Sequence, residues 1–493
     1  MSYFMGIDLG TSSTKTLIME ENGKTAGIGN ASYGIQIPQI SYAEQDPLEW
    51  WEAVKKSIKK ALQEAGIQGR DIAGIGFSGQ MHGMVALDEN KQLACKAIIH
   101  LDQRSSLELK EIRTLAGNLM TEELLNQPSA GMMISSLYWL KKHQKETYDR
   151  IRYVMSPKDY ISFRLCGEIG TEYTDAGAAL GFSVKNYRWC TELFKRLELK
   201  EEIWPPVHKS FEIAGNVTAE AAEETGLSTS TKVIYGAGDS MAALTGNGII
   251  ESGFITCNIG TSSQLAVVVD KPIFDPKMRI QTWCHTVPKR WVVQSGTLNG
   301  GSVLSWLRNN MLKTDETFAQ LDQEAGLTPA GADGLYFLPY LAGERTPYND
   351  PYAKGVFFGL SMMHQQGHLV RSAMEGILFN LKECLYILDE MKVDRSRLIA
   401  SGGAARGVTW KQIQADVLNM PVYSTNVKEE ACQGAAILAA VGVGFFKDIK
   451  EGCQAAVTMS PEVVEPILEN VKIYNEKQEV FHDLYYSVKK LIV

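Results

Sequence analysis

Two glycine turns rich in hydroxyl side chains stand out in this sequence of 493 residues. Gly10 is followed by Thr11 and Ser12, and Gly260, 250 positions later, is followed by Thr261 and another serine. Glycine lets the backbone approach an anion closely, while successive amide N–H groups and small hydroxyls can converge on that anion as donors. The two turns therefore predict two phosphate-binding loops, although a single turn of this composition is also ordinary connecting structure.

Two aspartates lie where they could assist chemistry on a phosphate. Asp8 precedes the first glycine by two residues and offers the carboxylate that a phosphate-bound Mg²⁺ requires. Asp239 follows the apolar run 233–237 and opens a predicted helix, at the strand end where α/β sheets expose functional groups. An aspartate in that position can also be a simple helix N-cap without any function.

The elements around these residues follow an α/β pattern. Each glycine turn lies between two strand-like runs, residues 3–7 and 16–19 for the first and 254–258 and 265–269 for the second, which predicts two β-hairpins. Strand and helix signals alternate elsewhere, which predicts the α/β class throughout. The repeat predicts two domains, over residues 1–247 and 248–493.

The composition excludes several classes of protein. Hydrophobic residues make up 45% and charged residues 22%, which is typical of a folded globular chain and not of a disordered one. The net charge of −8 argues against nucleic acid as a partner. The longest uncharged apolar run, residues 431–446, is shorter than the ~20 residues that span a bilayer, so we expect a buried helix and no membrane partner. The eight scattered cysteines, with no Cys-x-x-Cys pair, fit a reducing cytoplasm.

One apparent nucleotide motif does not fit its context. Residues 74–79 spell G-x-G-x-x-G, but these glycines fall inside a strand-like run and are followed by another one, residues 84–87. A dinucleotide site needs a helix N-terminus after the glycines, facing the pyrophosphate. We therefore do not expect a dinucleotide site there.

Three segments carry a resemblance to a known family. Residues 6–12, residues 355–360 and the stretch 368–375 together resemble the signatures of the FGGY carbohydrate kinases, and the similarity extends to about residue 445. The resemblance implies a duplicated ribonuclease H-like ATPase fold, as in actin, Hsp70 and hexokinase, with a cleft between two domains. Within the family, residues 79–83 and 343–347 are similar to those of members that act on xylulose.

The resemblance also implies roles for the matching residues. Asp239 would be the general base that takes the proton of the sugar's terminal hydroxyl, and it would share a Mg²⁺ site with Asp8. The sugar would be contacted or approached by Met81, His82, Asp102, Arg104 and Asp239. The ATP side would be lined by Gly10, Thr11, Ser12, Lys15, Gly260, Thr261, Gly301, Gly403 and Gly407.

The activity implied is transfer of the γ-phosphoryl group of ATP, with Mg²⁺, to D-xylulose, giving D-xylulose 5-phosphate in a cytoplasmic homodimer. Three positions depart from the family pattern. Ser136 stands where a lysine is expected, His100 and Leu101 replace a Trp-Asn pair, and Ser240 replaces an asparagine. The last two changes lie near the expected sugar site and leave the identity of the sugar open.

Three other functions remain possible on the sequence. A kinase of the same family could act on another sugar, polyol or aldonate of the ribulose, gluconate or glycerol type. A nucleotide switch of the actin or Hsp70 type would hydrolyse ATP without an acceptor, but it would have no need for the sequence Gln-Met-His at residues 80–82. A non-catalytic sugar sensor would bind the sugar without forming a product.

Overall fold

The computed structural model describes residues 2–491 and contains two large mixed sheets with helices packed on them. The strands are β1 (Tyr3–Leu9), β2 (Ser13–Glu20), β3 (Thr25–Ser32), β4 (Glu44–Gln45), β5 (Ile72–Gly79), β6 (Val85–Leu87), β7 (Ala97–Ile98), β8 (Tyr153–Met155), β9 (Thr171–Glu172), β10 (Phe182–Ser183), β11 (Arg188–Trp189), β12 (Val207–His208), β13 (Ile213–Asn216), β14 (Lys232–Ile234), β15 (Ala237–Gly238), β16 (Phe254–Ile259), β17 (Ser263–Val269), β18 (Gln281–Cys284), β19 (Trp291–Thr297), β20 (Tyr336–Pro339), β21 (Gly355–Phe358), β22 (Arg397–Ser401) and β23 (Val422–Tyr423).

The α-helices are α1 (Pro47–Ala65), α2 (Leu109–Ala116), α3 (Met133–His143), α4 (Lys145–Arg150), α5 (Pro157–Cys166), α6 (Tyr173–Ala178), α7 (Thr191–Arg196), α8 (Ala219–Thr225), α9 (Asp239–Gly246), α10 (Gly301–Trp306), α11 (Phe318–Leu327), α12 (Gln366–Glu390), α13 (Val408–Leu418), α14 (Glu430–Gly442), α15 (Ile449–Ala456) and α16 (Leu468–Lys489). Within residues 2–491, no helix combines the length and the apolar character needed to cross a membrane.

The two large sheets repeat one strand pattern. The first has the order β13-β14-β5-β1-β2-β3, with β15 also beside β5, and the second has the order β18-β19-β17-β16-β22-β23. In each sheet the first strand of a hairpin, β1 or β16, pairs antiparallel with its successor and parallel with a strand on its other side, β5 or β22. The repeat in the sequence is thus a repeat of structure.

Both predicted hairpins form around the glycine turns. Leu9 pairs with Thr14 across the first turn, and Ile259 pairs with Ser263 across the second. Most side chains of β1 and β2 are buried on both faces of the sheet, as is typical of central strands that are covered on both sides. Both phosphate-loop candidates therefore lie at the same position within their sheets.

Helix α14 is the buried helix predicted for residues 431–446, and it lies on the first sheet although it follows the second in sequence. Two glycines make this close packing possible: a Cβ atom at Gly6 would lie 1.9 Å from the carbonyl oxygen of Cys432, and one at Gly76 would lie 2.1 Å from that of Ala435. The glycines inside β5 thus serve helix packing. The boundary at residue 247 stays a prediction, because α14 contacts elements before that boundary.

The C-terminal helix α16 packs against α12, α13 and β20. On this helix Val471, Tyr474 and Tyr485 are buried, whereas Val480 is 42% exposed, and Ile467, which precedes the helix, is 46% exposed. The apolar side chains of this segment are thus only partly buried by this chain.

Candidate active site

Strand pairing in the first sheet brings Asp8 and Asp239 to the same sheet edge. Asp8 pairs with Ser78 on the neighbouring parallel strand β5, and Gly238, the residue before Asp239, pairs with Gly79 on that strand. The hydroxyl of Ser78 donates to Asp8 Oδ1 at 2.7 Å, and the amide of Ser240 donates to Asp239 Oδ1 at 2.6 Å. Because parallel strands end together, the two carboxyl groups face one space beyond the sheet.

The electrostatics of the pair favour a cation between them. Burial raises the pKa of Asp239 to about 7, and the negative charge of Asp8 acts in the same direction. Burial also raises the pKa of Asp8, despite its bond from Ser78 and the charge of Lys15. Both side chains keep partial exposure on the side that faces the cleft. Two neighbouring carboxylates with raised pKa values form the oxygen-rich setting that a hard divalent cation prefers.

Met81 packs beside Gly238, the residue that precedes Asp239, and His82 follows Met81 in the same loop. The side chain of Met81 covers Gly238, since a Cβ atom there would lie 2.7 Å from Met81 Cγ. His82 has a left-handed backbone with φ of 73°, a conformation that non-glycine residues adopt at sites where the surroundings impose it. The loop at residues 80–83 is therefore held in an uncommon conformation that presents His82 to the cleft.

The hydrogen bond of His82 determines which of its ring nitrogens carries the proton. Nδ1 lies 2.9 Å from the carbonyl oxygen of Ala178, which can only accept, so Nδ1 donates. Burial, with smaller contributions from the neighbouring His100 and Arg345, lowers the pKa of His82 to about 4. His82 is therefore a neutral imidazole whose Nε2 carries a lone pair, which suits it to accept a hydrogen bond from a hydroxyl group.

Residues from the second half of the chain complete this side of the cleft. The ring of Trp283 on β18 lies 5.5 Å from the ring of His82. Arg345 is exposed to the cleft, and its Nε donates to the carbonyl oxygen of Gly296 at 2.9 Å. The buried carboxyl of Glu344 anchors the Arg345 loop by accepting from the amides of Leu298 and Arg345 at 2.7 and 2.8 Å.

Asp102 and Arg104, both predicted near the sugar, form a buried ion pair with each other at 2.8 Å. Asp102 also accepts from the amide of Ala43, and Arg104 also pairs with Glu44. Their polar atoms are thus engaged within the protein. A direct contact with a sugar stays a prediction, and the geometry favours an indirect role, because Asp102 closes the turn that carries His100.

The second glycine turn borders a cavity of about 940 Å³. Apolar side chains of α10, α11 and α13 form part of its wall, and this volume is typical of small-molecule sites. All five residues assigned to the ATP side in the second half of the chain line this one cavity: Gly260, Thr261, Gly301, Gly403 and Gly407. The structure thus brings together glycines that are separated by up to 147 positions in the sequence.

A second cavity, of about 620 Å³, shares Gly403 and Arg406 with the first and reaches Asp8. Glu429 also lines it and forms an ion pair with Lys15 on β2. The assignment of Lys15 to phosphates stays a prediction, since a carboxylate engages its ammonium group here. The two cavities together form a track from the second glycine turn to Asp8.

Hydrogen bonds from within the protein hold the backbone of the first glycine turn. The amide of Gly10 donates to the carbonyl of Ser13 at 3.0 Å, and the phenol of Tyr33 donates to the carbonyl of Gly10 at 2.5 Å. Gln45 donates to the carbonyl of Thr11 at 2.7 Å, while Ser12 is exposed. These bonds fix the backbone of the turn, and phosphate binding by residues 10–12 stays a prediction.

Trp283 and Glu429 were not among the residues predicted from the sequence, and Arg345 entered only as part of the family segment 343–347. Arg345 could be found from the sequence, because it lies in the family segment 343–347. Trp283 and Glu429 could not, because each reaches the site through packing between elements far apart in the chain.

Comparison with known proteins supports these assignments of fold. Two family models match: "FGGY family of carbohydrate kinases, N-terminal domain" over residues 3–246, and the C-terminal domain of the same family over residues 255–443. The chain is 34% identical to the xylulose kinase of Staphylococcus epidermidis over 99% of this chain and 97% of that protein. It is 31% identical to the gluconokinase of Bacillus subtilis over 90% of this chain and 88% of that protein.

A solved structure agrees with both matches. Ligand-bound xylulose kinase from Lactobacillus acidophilus superimposes with a TM-score of 0.92 at 28% identity, covering 99% of each chain. The predicted two-domain ATPase fold of the actin and hexokinase type is thereby confirmed. Together with the two family models, which cover most of the sequence, this shows that the chain belongs to the FGGY family of carbohydrate kinases.

Proposed function

We propose that this kinase transfers the γ-phosphoryl group of ATP to the terminal hydroxyl of D-xylulose, forming D-xylulose 5-phosphate. The observation that carries the proposal is the position of Asp239. It lies between Asp8, at the end of the cavity track, and Met81, which precedes the sugar-facing His82. A carboxylate in that position can meet an alcohol on one side and a phosphate on the other. The full-length similarity to xylulose kinases supports the choice of sugar.

The residues present fit ATP and Mg²⁺. The larger cavity combines glycine backbone with Trp410, Phe318 and other apolar side chains, which suits an adenosine group. Asp8 has one hydrogen-bond donor on its carboxylate and lines the adjoining cavity, so Asp8 and Asp239 would hold Mg²⁺ there. The metal ion, when bound, supplies positive charge against the phosphate oxygens.

Phosphoryl transfer asks mainly for positioning and charge neutralisation, because its transition state is loose. Asp239 would accept the proton of the attacking hydroxyl, for which the two groups must come within about 3 Å of each other. His82 would accept a hydrogen bond from another hydroxyl through Nε2 and orient the sugar. The glycine turns would bind the phosphates through their backbone amides.

One observation favours a second candidate substrate. Among the hydrogen bonds of the described residues, the guanidinium group of Arg345 donates only through Nε, to Gly296, which leaves its terminal nitrogens as charged donors. A guanidinium group binds a carboxylate through two parallel hydrogen bonds. The carboxylate of an aldonate of the gluconate type would pair with Arg345 in this way. The departures from the family pattern at His100 and Ser240 are compatible with such a substrate.

A panel of acceptors tests the choice of substrate. We expect kcat/KM for D-xylulose to exceed those for D-ribulose, D-gluconate and glycerol by at least about tenfold, the range that a few specific polar contacts provide. Coupled detection of ADP gives the rates, and mass spectrometry identifies the phosphorylated product. A higher value for D-gluconate would overturn the choice of sugar in favour of the aldonate. ADP release that no acceptor stimulates would overturn the kinase proposal itself.

Sugar binding should be insensitive to pH where histidines ordinarily titrate. At pH 5.5 an imidazole of ordinary pKa is only about one tenth neutral, whereas His82, with a pKa lowered to about 4, remains neutral. We expect the Kd for D-xylulose, measured by calorimetry without nucleotide or metal, to change less than about twofold between pH 7.5 and 5.5. The Asp239→Asn background removes the titration of Asp239, whose pKa of about 7 lies within this interval. A tenfold loss of affinity over that interval would show that His82 titrates normally.

Two further consequences of the family resemblance, a homodimer and a cytoplasmic location, stay predictions. Exposed apolar side chains on α16, among them Val480 and Tyr486, offer a surface for a second subunit.

A further inference from the structure

One short helix, α6, touches both functional loops of the first half. Near its N-terminal end, Thr174 Oγ1 accepts a hydrogen bond of 2.8 Å from the amide of Gly238, the residue before Asp239. At its C-terminal end, the carbonyl oxygen of Ala178 accepts from His82 Nδ1 at 2.9 Å. Helix α6 thus contacts the catalytic strand end and the sugar loop at the same time.

The hydroxyl of Thr174 has a defined direction. An amide N–H can only donate, so Thr174 Oγ1 accepts from Gly238 and directs its own proton to Glu172 Oε1, 2.7 Å away. Glu172 also accepts from the amides of Thr174 and Asp175 at 2.8 and 2.9 Å, which caps the helix. All of these groups are buried, so a lost bond would leave an unpaired polar group away from water.

The buried side chain of Lys158 connects α6 to the first sheet. Lys158 is fully buried, and its Nζ lies 2.6 Å from Asp159 Oδ1, 3.2 Å from Asp175 Oδ2 on α6 and 3.2 Å from the carbonyl oxygen of Tyr235. Tyr235 lies between β14 and β15, just before the catalytic strand end. The stem of Lys158 also covers Gly79, since a Cβ atom there would lie 2.8 Å from Lys158 Cβ. The lysine therefore joins α6 to both strands that lead to the site.

We propose that Thr174 is a positioning residue for phosphoryl transfer, acting through α6. Its hydroxyl, oriented by Glu172, fixes the position of the backbone that carries Asp239. The other end of the helix fixes the tautomer of His82. The Lys158–Asp175 pair keeps the helix in place. The proposal rests on the proposed function, because the group that is positioned is the base for the sugar hydroxyl.

The test removes one hydroxyl without changing shape or charge. In Thr174→Val the Gly238 amide loses its acceptor and Glu172 loses one of its donors. We expect kcat with D-xylulose to fall at least about tenfold, because small displacements of a reacting group are costly. The KM for ATP should change less than about twofold, since the strands against which α6 mainly packs, β15 and β18, contain none of the residues assigned to the ATP side. Thr174→Ser keeps the hydroxyl and should retain kcat within about threefold of the parent.

Thr225→Val is the matched control. Thr225 is also fully buried, and its hydroxyl also bonds to backbone groups, donating to Ala221 O at 2.5 Å in α8, away from the site. We expect it to retain kcat within about twofold. The proposal is overturned if Thr174→Val matches Thr225→Val in kcat. Should Thr174→Val fail to fold, Thr174→Cys, whose sulfur is a weaker acceptor, replaces it, and parental turnover in that variant would equally overturn the proposal.

A second readout does not depend on turnover. Nitrogen-15 NMR of the imidazoles reports the His82 tautomer, which we expect to be Nδ1–H in the parent and partly Nε2–H in Thr174→Val. If the parent phosphorylates no sugar, the proposed function fails, and this spectrum alone then decides the positioning role. An unchanged His82 signal would overturn it.

Discussion

Replacing Asp239 by asparagine is expected to lower kcat for phosphorylation of D-xylulose by about 10²–10⁴, the range typical of lost general-base assistance. Asparagine preserves the shape of the side chain and the bond that the Ser240 amide makes to Oδ1. It cannot take up the proton of the sugar hydroxyl. The measurement is steady-state turnover with saturating ATP, Mg²⁺ and sugar, and we expect a smaller effect on the KM for ATP.

The stability of this variant separates lost chemistry from lost structure. Burial raises the pKa of Asp239 to about 7, above its ordinary 3.8, so the fold loses stability as pH rises from about 4 to about 7, and the full cost of the ionised form is present above pH 7. Asparagine carries no such cost. The thermal midpoint of Asp239→Asn at pH 8 should therefore equal or exceed that of the parent, which is characteristic of a residue kept for function.

Asp46→Asn is the control for the substitution type, because asparagine caps a helix as well as aspartate does and Asp46 caps α1. It should retain parental kcat and stability. A rate for Asp239→Asn within a few-fold of the parent would contradict the role given to Asp239, and a lowered thermal midpoint would attribute the loss to folding.

The parts of the site that could be predicted from sequence depend on local structure. A glycine with hydroxyl neighbours between two alternating runs forms a hairpin from short-range preferences alone, and both turns did so at Gly10 and Gly260. Asp239 at the end of a buried run was predictable for the same reason. The family motifs added the distant glycines Gly301, Gly403 and Gly407, which the structure places in one cavity.

The remaining features depend on long-range packing. Helix α14 is apolar on all sides, so its periodicity does not indicate which sheet it covers, and only the close approach to Gly6 and Gly76 reveals its place. The ion pair of Lys15 with Glu429 joins residues 414 positions apart. The contact of His82 with Ala178 uses a backbone carbonyl, which carries no sequence signal.

The carboxylates of Asp8 and Asp239 lie at the same edge of the first sheet. This placement explains why the proposed base and the proposed metal site depend on each other. A base that is buried beside another carboxylate stays protonated to an extent that hinders its task, as the pKa of about 7 for Asp239 indicates. A cation held between the two would reverse that effect, because opposite charge favours the ionised form. Metal binding and base strength would thus be coupled through the charge that Asp8 places near Asp239.

The matching prediction concerns Asp8. In Asp8→Asn the amide oxygen can still accept from the Ser78 hydroxyl, 2.7 Å away in the parent, so the strand pairing should persist. The variant loses the charge that would hold Mg²⁺ at the end of the track. We expect kcat at millimolar Mg²⁺ to fall about 10²-fold, and the Mg²⁺ concentration for half-maximal rate to rise at least about tenfold, as is typical when a metal-binding group is weakened.

Titration of activity with Mg²⁺ distinguishes this loss from that in Asp239→Asn. For Asp8→Asn, excess metal should restore part of the rate, because the base is still present and only the affinity for the cation has fallen. For Asp239→Asn, excess metal should restore nothing comparable, because the proton acceptor itself is gone. An unchanged Mg²⁺ requirement in Asp8→Asn would place the cation elsewhere in the cleft and would leave Asp8 with a purely structural bond to Ser78.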